Sequence, residues 1–238
     1  MTSKLKKVMI GGLAAAAMAY GITATPAAAA EKFKIFLSMS YIGNDWQAEA
    51  ANMLKAMAAH KDYADKVDLK VQVAGPNAQK QIQQINAMVQ AGAEAIIVYP
   101  ISPTALNEAV KNACAKGVTV VAYDGVIEEP CAYNVHVDQF EWGKVTAEWL
   151  ANAIDGKGNI VMITGVSGTS VDTLRNKAAR EVFAKYPDIK VVFSHDMRLA
   201  RENGLTYGEG ALVANPDLRA ISGANDDLGP GSAQAVRA

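Results

Sequence analysis

The chain has few of the residues that metal sites and nucleophilic catalysis require. It contains three histidines and two cysteines among 238 residues, and none of His60, His136 and His195 has a partner at metal-ligand spacing. Residues 165–169 miss the last position of the G-x-S-x-G nucleophile motif, and they lack the lysine of a phosphate-binding loop. No G-x-G-x-x-G follows the first predicted strand. These absences argue against an enzyme and against a metal or organic cofactor.

Charge of one sign is not concentrated in any part of the sequence. The formal net charge is −1, the isoelectric point is about 6.3, and there is no block of like charges. Nucleic-acid partners and anionic membrane surfaces attract proteins through basic patches or stripes. The sequence therefore predicts neither kind of partner.

The N-terminus has the pattern of an export signal. Three lysines within residues 4–7 precede an apolar stretch over residues 8–22, and a run of alanines ends at Ala30. This pattern predicts a signal peptide over residues 1–30 with cleavage near Ala30. A membrane anchor is the alternative, and the shortness and the alanine and glycine content of the apolar stretch disfavour it. We expect an exported, periplasmic protein that begins at Glu31.

The two cysteines both lie in the predicted mature protein. Cys114 and Cys131 flank the predicted strand that ends at Tyr123. An even number of cysteines in an oxidising compartment favours a disulfide, which would contribute about 3 kcal/mol to stability. Two free buried thiols are the alternative.

Residues 95–125 show the unit from which most of the protein is built. Two apolar runs, at residues 95–99 and 118–123, flank an amphipathic helix predicted over residues 102–116. Continuous apolar runs on either side of one helix are typical of parallel strands buried on both faces. Further strands are predicted at residues 33–40, 67–74, 132–137, 159–164, 190–194 and 219–222.

The β-α rhythm is interrupted once, near Asp138. Four β-α steps precede this point and three follow it. Two separate parallel sheets explain the interruption better than one long sheet does. We therefore predict an α/β protein with an N-terminal lobe at residues 31–137 and a C-terminal lobe at residues 138–238, joined by a short hinge.

Polar and aromatic residues recur directly after the predicted strands. Ligands of open α/β sheets bind beyond the carboxyl ends of the strands, and a neutral polyhydroxylated ligand would need such carboxylates, amides, guanidinium groups and aromatic faces. Bland explanations also exist: helix capping for Asn44 and Asp226, core packing for Trp46, and solvation for Arg175. The candidates are Asn44, Trp46, Asp124, residues 167–170 with Arg175, and Asn225 with Asp226.

The ordered set of motifs resembles a known family. The segments KIFLSMSYIGNDWQ, QIQQINAMVQAGAEAIIVYPISPTAL, GVTVVAYDG, VHVDQFEWGK, ITGVSGTSVDTLRNK and ISGANDD follow the signal peptide in this order. From residue 33 to its end the sequence resembles the periplasmic sugar-binding proteins of the ribose and galactose type, which serve ABC importers. The resemblance implies the two-lobed type I periplasmic binding protein fold and a protein that binds without catalysis.

The resemblance also implies roles for individual residues. Asn44 and Trp46 match a first-loop amide and a stacking aromatic, and Asp124 matches an aspartate that ends the fourth strand. Arg175 and Asn225 match a ligand arginine and a ligand amide. Asp138 matches the point where the backbone passes from one lobe to the other, the hinge.

The implied partners are a small carbohydrate, an ABC permease and a chemoreceptor, with the protein itself a monomer. One alternative is a ligand of another kind, a sugar-like signal molecule or a polyol. Another is the effector domain of a sugar-responsive repressor, which the signal peptide and the lack of a helix-turn-helix before residue 33 disfavour. An exported enzyme is disfavoured by the missing catalytic motifs.

Three departures from the family pattern bear on binding. Asp45 and Gln47 stand where the family often has proline and aromatic residues, and Gly125 stands where an arginine often follows the aspartate. The sequence also ends before further strands that family members carry, so we expect an incomplete second lobe and a protein truncated at its C-terminus. We therefore expect residues 31–238 to bind their ligand weakly or not at all.

Overall fold

Strands and helices alternate throughout residues 31–196 and 199–238, the residues that the computed structural model describes. The predicted signal peptide lies outside these residues. The strands are β1 (Phe33–Met39), β2 (Val67–Val73), β3 (Ala95–Tyr99), β4 (Thr119–Tyr123), β5 (Tyr133–Val135), β6 (Lys157–Thr164), β7 (Asp188–Asp196) and β8 (Leu218–Gly223). The helices are α1 (Asp45–Ala59), α2 (Ala78–Gln90), α3 (Asn107–Ala115), α4 (Gln139–Ala153), α5 (Ser170–Phe183), α6 (Arg201–Ala214) and α7 (Leu228–Arg237).

The strands form two parallel sheets. The first has the order β2-β1-β3-β4-β5 and the second the order β7-β6-β8. The backbone passes from one to the other between β5 and α4, where the sequence predicts the interruption. The predicted α/β fold with helix-flanked parallel sheets is confirmed. Residues 31–238 form one compact unit, and the division into lobes stays a prediction.

The inner strands β1, β3 and β6 are covered on both faces, which is why their sequences are largely apolar. On one face of the first sheet, Phe36, Ile96 and Val98 pack in a core with residues of α2 and α3. On the other, Leu37 and Met39 pack against Ala51 of α1. In the second sheet, the successive residues of β6 alternate between a core with α4 and α5 and a core with α6 and α7. This alternation follows from the two-residue period of a strand.

Capping side chains fix where several helices begin. Asn44, Asn77, Asp138 and Thr169 each accept a hydrogen bond from the backbone N–H three residues further on. Such caps satisfy N–H groups that have no partner within the helix. They set the loops that follow β1, β2, β5 and β6, and these loops lie at the carboxyl edges of the sheets.

One helix begins later than the sequence predicts. Helix α3 starts at Asn107 rather than at residue 102. The Ser102 hydroxyl accepts a hydrogen bond from the Ala105 N–H (3.2 Å), and the Asn107 N–H donates to the Thr104 carbonyl (3.1 Å). The apolar residues in this segment have helical spacing. Residues 103–106 nevertheless form turns, because their backbone hydrogen bonds are of the shorter turn type.

Buried glutamine Gln81 fixes the loop after β3. Its Nε2 donates to the Tyr99 carbonyl (2.9 Å) and to the Ser38 hydroxyl (3.3 Å), and its Oε1 accepts from the Ile101 N–H (3.0 Å). The helical pattern of α2 predicts its polar residues on the solvent face, so this role was missed. A buried amide persists in a core only when its donors and acceptors are paired.

A disulfide joins Cys114 of α3 to Cys131 in the segment before β5, with Cα atoms 6.4 Å apart. It ties the edge strand β5 to the helix layer. No helix within the described ranges is long and apolar enough to cross a membrane.

Candidate functional site

Asp124 directly follows β4 and has an unusual backbone conformation. Its φ is +59°, in the left-handed region that costs most residues about 1–2 kcal/mol but that aspartate tolerates better than others. Its N–H donates to the Val135 carbonyl (3.0 Å). A Cβ at Gly125 would lie 3.1 Å from a ring carbon of Pro100, so the close approach of Pro100 favours glycine there.

Gln139 connects Asp124 to the second sheet. It is the first residue of α4, directly after the capping residue Asp138, and it is 2% exposed. Its Nε2 donates to Asp124 Oδ1 (2.9 Å), and its Oε1 accepts from Arg175 Nε (2.8 Å). One amide therefore holds the carboxylate and the guanidinium in a fixed relation.

Arg175 projects from α5 and is held on three sides. Beyond its bond to Gln139, its Nη1 donates to the Ala224 carbonyl after β8 (2.9 Å). Its guanidinium carbon lies 5.0 Å from the centre of the Trp142 ring, within the range of a cation–π contact. Helices α4 and α5 meet closely at Gly143, where a Cβ would lie 2.5 Å from the Arg175 carbonyl oxygen.

Burial shifts the pKa of both charged groups against ionisation. Burial raises the pKa of Asp124. This rise is opposed by the charge of Arg175, by the hydrogen bond from Gln139 and by the charge of His136. Burial lowers the pKa of Arg175, which Asp124 opposes most strongly. Each charge is thus stabilised by the other in a partly desolvated setting, where electrostatic contacts to a ligand are stronger than in water.

An aromatic layer lies beside Asp124. The Trp46 ring is 6.3 Å from that of Tyr123, which is 5.5 Å from Tyr99, which is 5.9 Å from Tyr41. Burial raises the pKa of Tyr41 to about 12 and raises the pKa of Tyr99 and Tyr123 as well, so the phenols stay neutral.

A cavity of about 500 Å³ lies beside these groups, between elements of the two sheets. Four of the predicted ligand residues line it: Trp46, Asp124, Arg175 and Asn225. The others in the lining are Asp45, Glu49, Val137, Trp142, Arg201, Asp226 and Asp227. The volume suits a small ligand.

The remaining predicted residues have structural partners. Asn44 Oδ1 accepts from the Gln47 N–H (2.8 Å) as the cap of α1, and Asn44 does not belong to the cavity lining. Asp138 caps α4 by accepting from the Glu141 N–H (2.9 Å). Their assignment to ligand and hinge stays a prediction. Asn225 lines the cavity, but its amide donates to Asp227 Oδ2 and accepts from the Leu228 N–H, both at 3.0 Å.

Sequence reasoning missed Gln139 and Trp142. They lie three residues apart on α4, a spacing that places them on one helix face, and they follow the predicted crossing residue Asp138. This shared face, directly after the predicted crossing point, was the sequence signal that could have identified them. Gln47 is buried and accepts a hydrogen bond from the Tyr123 hydroxyl (3.3 Å). This hydrogen bond holds Tyr123, one ring of the aromatic layer, in place.

The arrangement suits a ligand with hydroxyl groups. A carboxylate accepts hydrogen bonds from a diol, a guanidinium donates to its oxygens, and aromatic rings cover the apolar face of a sugar. Among the side chains of residues 31–196 and 199–238, no group of three histidines, cysteines or carboxylates is arranged to hold a metal ion.

Two curated relatives are similar to this chain over about 70% of its length. The xylitol-binding protein of Mycolicibacterium smegmatis is 31% identical over 73% of this chain and 50% of its own length. The D-xylose-binding periplasmic protein of Escherichia coli is 30% identical over 71% of this chain and 52% of its own. The chain thus spans about half the length of these two relatives.

A solved structure agrees in fold. The ABC transporter solute-binding protein of Actinobacillus succinogenes, solved with bound D-allose, is 30% identical, with a TM-score of 0.73 over 87% of this chain and 73% of its own. The model of the periplasmic binding protein domain family matches residues 35–238. The chain therefore belongs to the periplasmic binding protein domain family.

Proposed function

We propose that the protein captures a small sugar in the cavity between its two sheets and delivers it to an ABC-type import permease. The observation that carries the proposal is the connected set Asp124, Gln139 and Arg175, which spans both sheets at an aromatic-lined cavity. The relatives named for xylitol, D-xylose and D-allose support it, because these compounds share vicinal hydroxyl groups.

The capture step joins two parts of the protein that can move about one connection. In our proposal, residues 31–137 and 138–238 act as lobes, and the segment at Asp138 is the hinge. A ligand that contacts both lobes stabilises the closed form by its differential affinity for that form. The permease would then recognise the closed, liganded protein.

The proposal also covers the location of the protein, its further partner and a second candidate ligand. The signal peptide would direct the protein to the periplasm, where it would act as a monomer, with a chemoreceptor as a further partner. A polyol is the second candidate ligand, and the relative named for xylitol favours it. Both ligands would use the same hydroxyl contacts.

A thermal-shift panel tests the proposal. The protein is melted with pentoses, hexoses and polyols at millimolar concentration. At ten times its dissociation constant a ligand adds about 1.4 kcal/mol of stability, which raises the melting temperature by about 3–6 °C.

Variants locate the effect. Arg175→Met should abolish the shift, whereas Arg237→Met, at an exposed position at the end of α7, should retain it. The proposal fails if no member of the panel stabilises the protein, or if Arg175→Met folds and retains the full shift.

A further inference from the structure

The walls of the cavity carry more carboxylates than cationic groups. Five acidic side chains line it and two arginines accompany them, so its net charge is −3 when all are ionised. The acidic residues are Asp45, Glu49, Asp124, Asp226 and Asp227, and the arginines are Arg175 and Arg201. A neutral sugar does not require this excess.

The carboxylates approach the cavity from both sides. Asp45 and Glu49 lie on α1, four residues apart and exposed, whereas Asp226 and Asp227 precede α7 beside the second sheet. Burial and then the charge of Asp45 raise the pKa of Asp227. Negative charges of the two sides therefore repel one another across the opening.

The two arginines offset this charge only in part. Arg175 is committed to Gln139 and Ala224 through its Nε and Nη1, and it lies over the Trp142 ring. Arg201 is exposed. Within residues 31–196 and 199–238, none of the five carboxylates forms an ion pair shorter than 4.0 Å.

The half-exposed Trp46 lines the same opening. An indole ring beside carboxylates favours an organic cation, because the ring face and the acidic oxygens both attract positive charge. A divalent metal would instead need several oxygen ligands converging on one point, and among the described side chains no such cluster is present.

We propose that the ligand carries a protonated amine, as an amino sugar or an amino polyol does. Its hydroxyl groups bind Asp124 and Arg175, and its ammonium group lies between the carboxylates of α1 and those before α7. Occupation by a cation relieves the repulsion between the two sides. This inference rests on the proposed function and narrows its ligand class.

Matched probes separate the two claims. We titrate two series of compounds by calorimetry: D-galactose, D-galactosamine and D-galacturonate, and the corresponding glucose, glucosamine and glucuronate. The titrations are made at about pH 6, where an amine with a pKa near 8 is protonated. The amino sugar of at least one series should bind at least about fivefold tighter than its neutral counterpart, and the uronate should bind most weakly. Added salt should reduce this preference.

A double variant assigns the preference to the carboxylates of α1. Asp45→Asn with Glu49→Gln should reduce the ratio of amino to neutral affinity by at least about threefold, because exposed ion pairs contribute modestly. Asp65→Asn, at an exposed aspartate that does not line the cavity, should leave it unchanged.

The outcomes distinguish the inference from the function. A neutral sugar that binds as tightly as its amino counterpart, or a uronate that binds most tightly, overturns the inference and leaves the proposed function standing. A ratio that the double variant leaves unchanged also overturns it. Failure of every carbohydrate, in these series and in the wider panel, removes both claims.

Discussion

At the scale of single residues, the site depends on Gln139, which is buried between a carboxylate and a guanidinium. Gln139→Leu keeps the approximate shape but removes the bonds to Asp124 and Arg175. We expect a loss of about 1–3 kcal/mol of stability, because two charged groups lose a buried partner, and at least a tenfold loss of sugar affinity. Chemical denaturation and calorimetry measure the two effects.

The control for this change is Gln83→Leu, which replaces an exposed glutamine of α2. It should leave stability within about 0.5 kcal/mol and affinity unchanged. A Gln139→Leu protein that binds the sugar normally would show that the amide does not position Asp124 and Arg175 for the ligand.

The partly buried carboxylate of Asp124 should also influence stability through pH. Its pKa in the folded protein is raised above the ordinary value of 3.8, first by burial. The folded state therefore retains this proton to higher pH than the unfolded state, so the contribution of Asp124 to stability falls as pH rises through the window above 3.8. Asp124→Asn removes this dependence.

The measurement is the free energy of unfolding of both proteins from about pH 3 to 6. The free energy of unfolding of the wild type minus that of Asp124→Asn should decrease with increasing pH. The contributions of Asp172 and Asp227 are the same in both proteins and cancel in this difference. A difference that grows with pH would mean that Arg175 and Gln139 outweigh burial.

At the scale of secondary-structure elements, the contact of α4 with α5 positions the Arg175 backbone. A Cβ at residue 143 would lie 2.5 Å from the Arg175 carbonyl oxygen and 2.6 Å from its Cα. Gly143→Ala should force the helices apart at a cost of about 1–3 kcal/mol and should weaken ligand binding. A lower melting temperature and a lower affinity are the expected results.

Gly210→Ala provides the matched comparison. It lies inside α6, where an added Cβ meets no atom within 4 Å. Alanine there should be neutral or should stabilise the protein by up to about 1 kcal/mol, because glycine is a poor helix former. If the two variants behaved alike, close packing at Gly143 would not be the cause of its effect.

The disulfide joins α3 to the segment before β5 across 17 residues of sequence. Replacing both Cys114 and Cys131 by serine should reduce the free energy of unfolding by about 3 kcal/mol. Thiol titration of the denatured, unreduced protein should detect no free thiol. Two free thiols per molecule would contradict the bond.

At the scale of the whole molecule, the α/β fold was predictable because its signals are local and repeated. Buried parallel strands give apolar runs that any window of residues reveals, as in residues 95–99 and 118–123. The start of α3 was not predictable to the residue, because residues 103–106 have helical apolar spacing but bond as turns.

The candidate site was predictable only in part. Asp124 stands out because a charge directly after a buried strand lies where α/β sheets bind ligands, whereas Arg175 stands out only through its placement with other residues that follow strands and through the family resemblance. Gln139 does not stand out, since a polar residue in the first turn of a helix usually faces solvent. Its burial arises from the meeting of two sheets, which no local pattern encodes.

The central claim is that the cavity between the two sheets is the binding site, and tryptophan fluorescence tests it most directly. Trp46 and Trp142 line the cavity, whereas Trp149, 70% exposed on α4, does not. The protein is titrated with the carbohydrate that stabilises it most. We predict a saturable change that survives in Trp149→Phe and is lost when Trp46→Phe and Trp142→Phe are combined. A change that disappears with Trp149 alone, and persists in the double variant, would place the ligand elsewhere and contradict the claim.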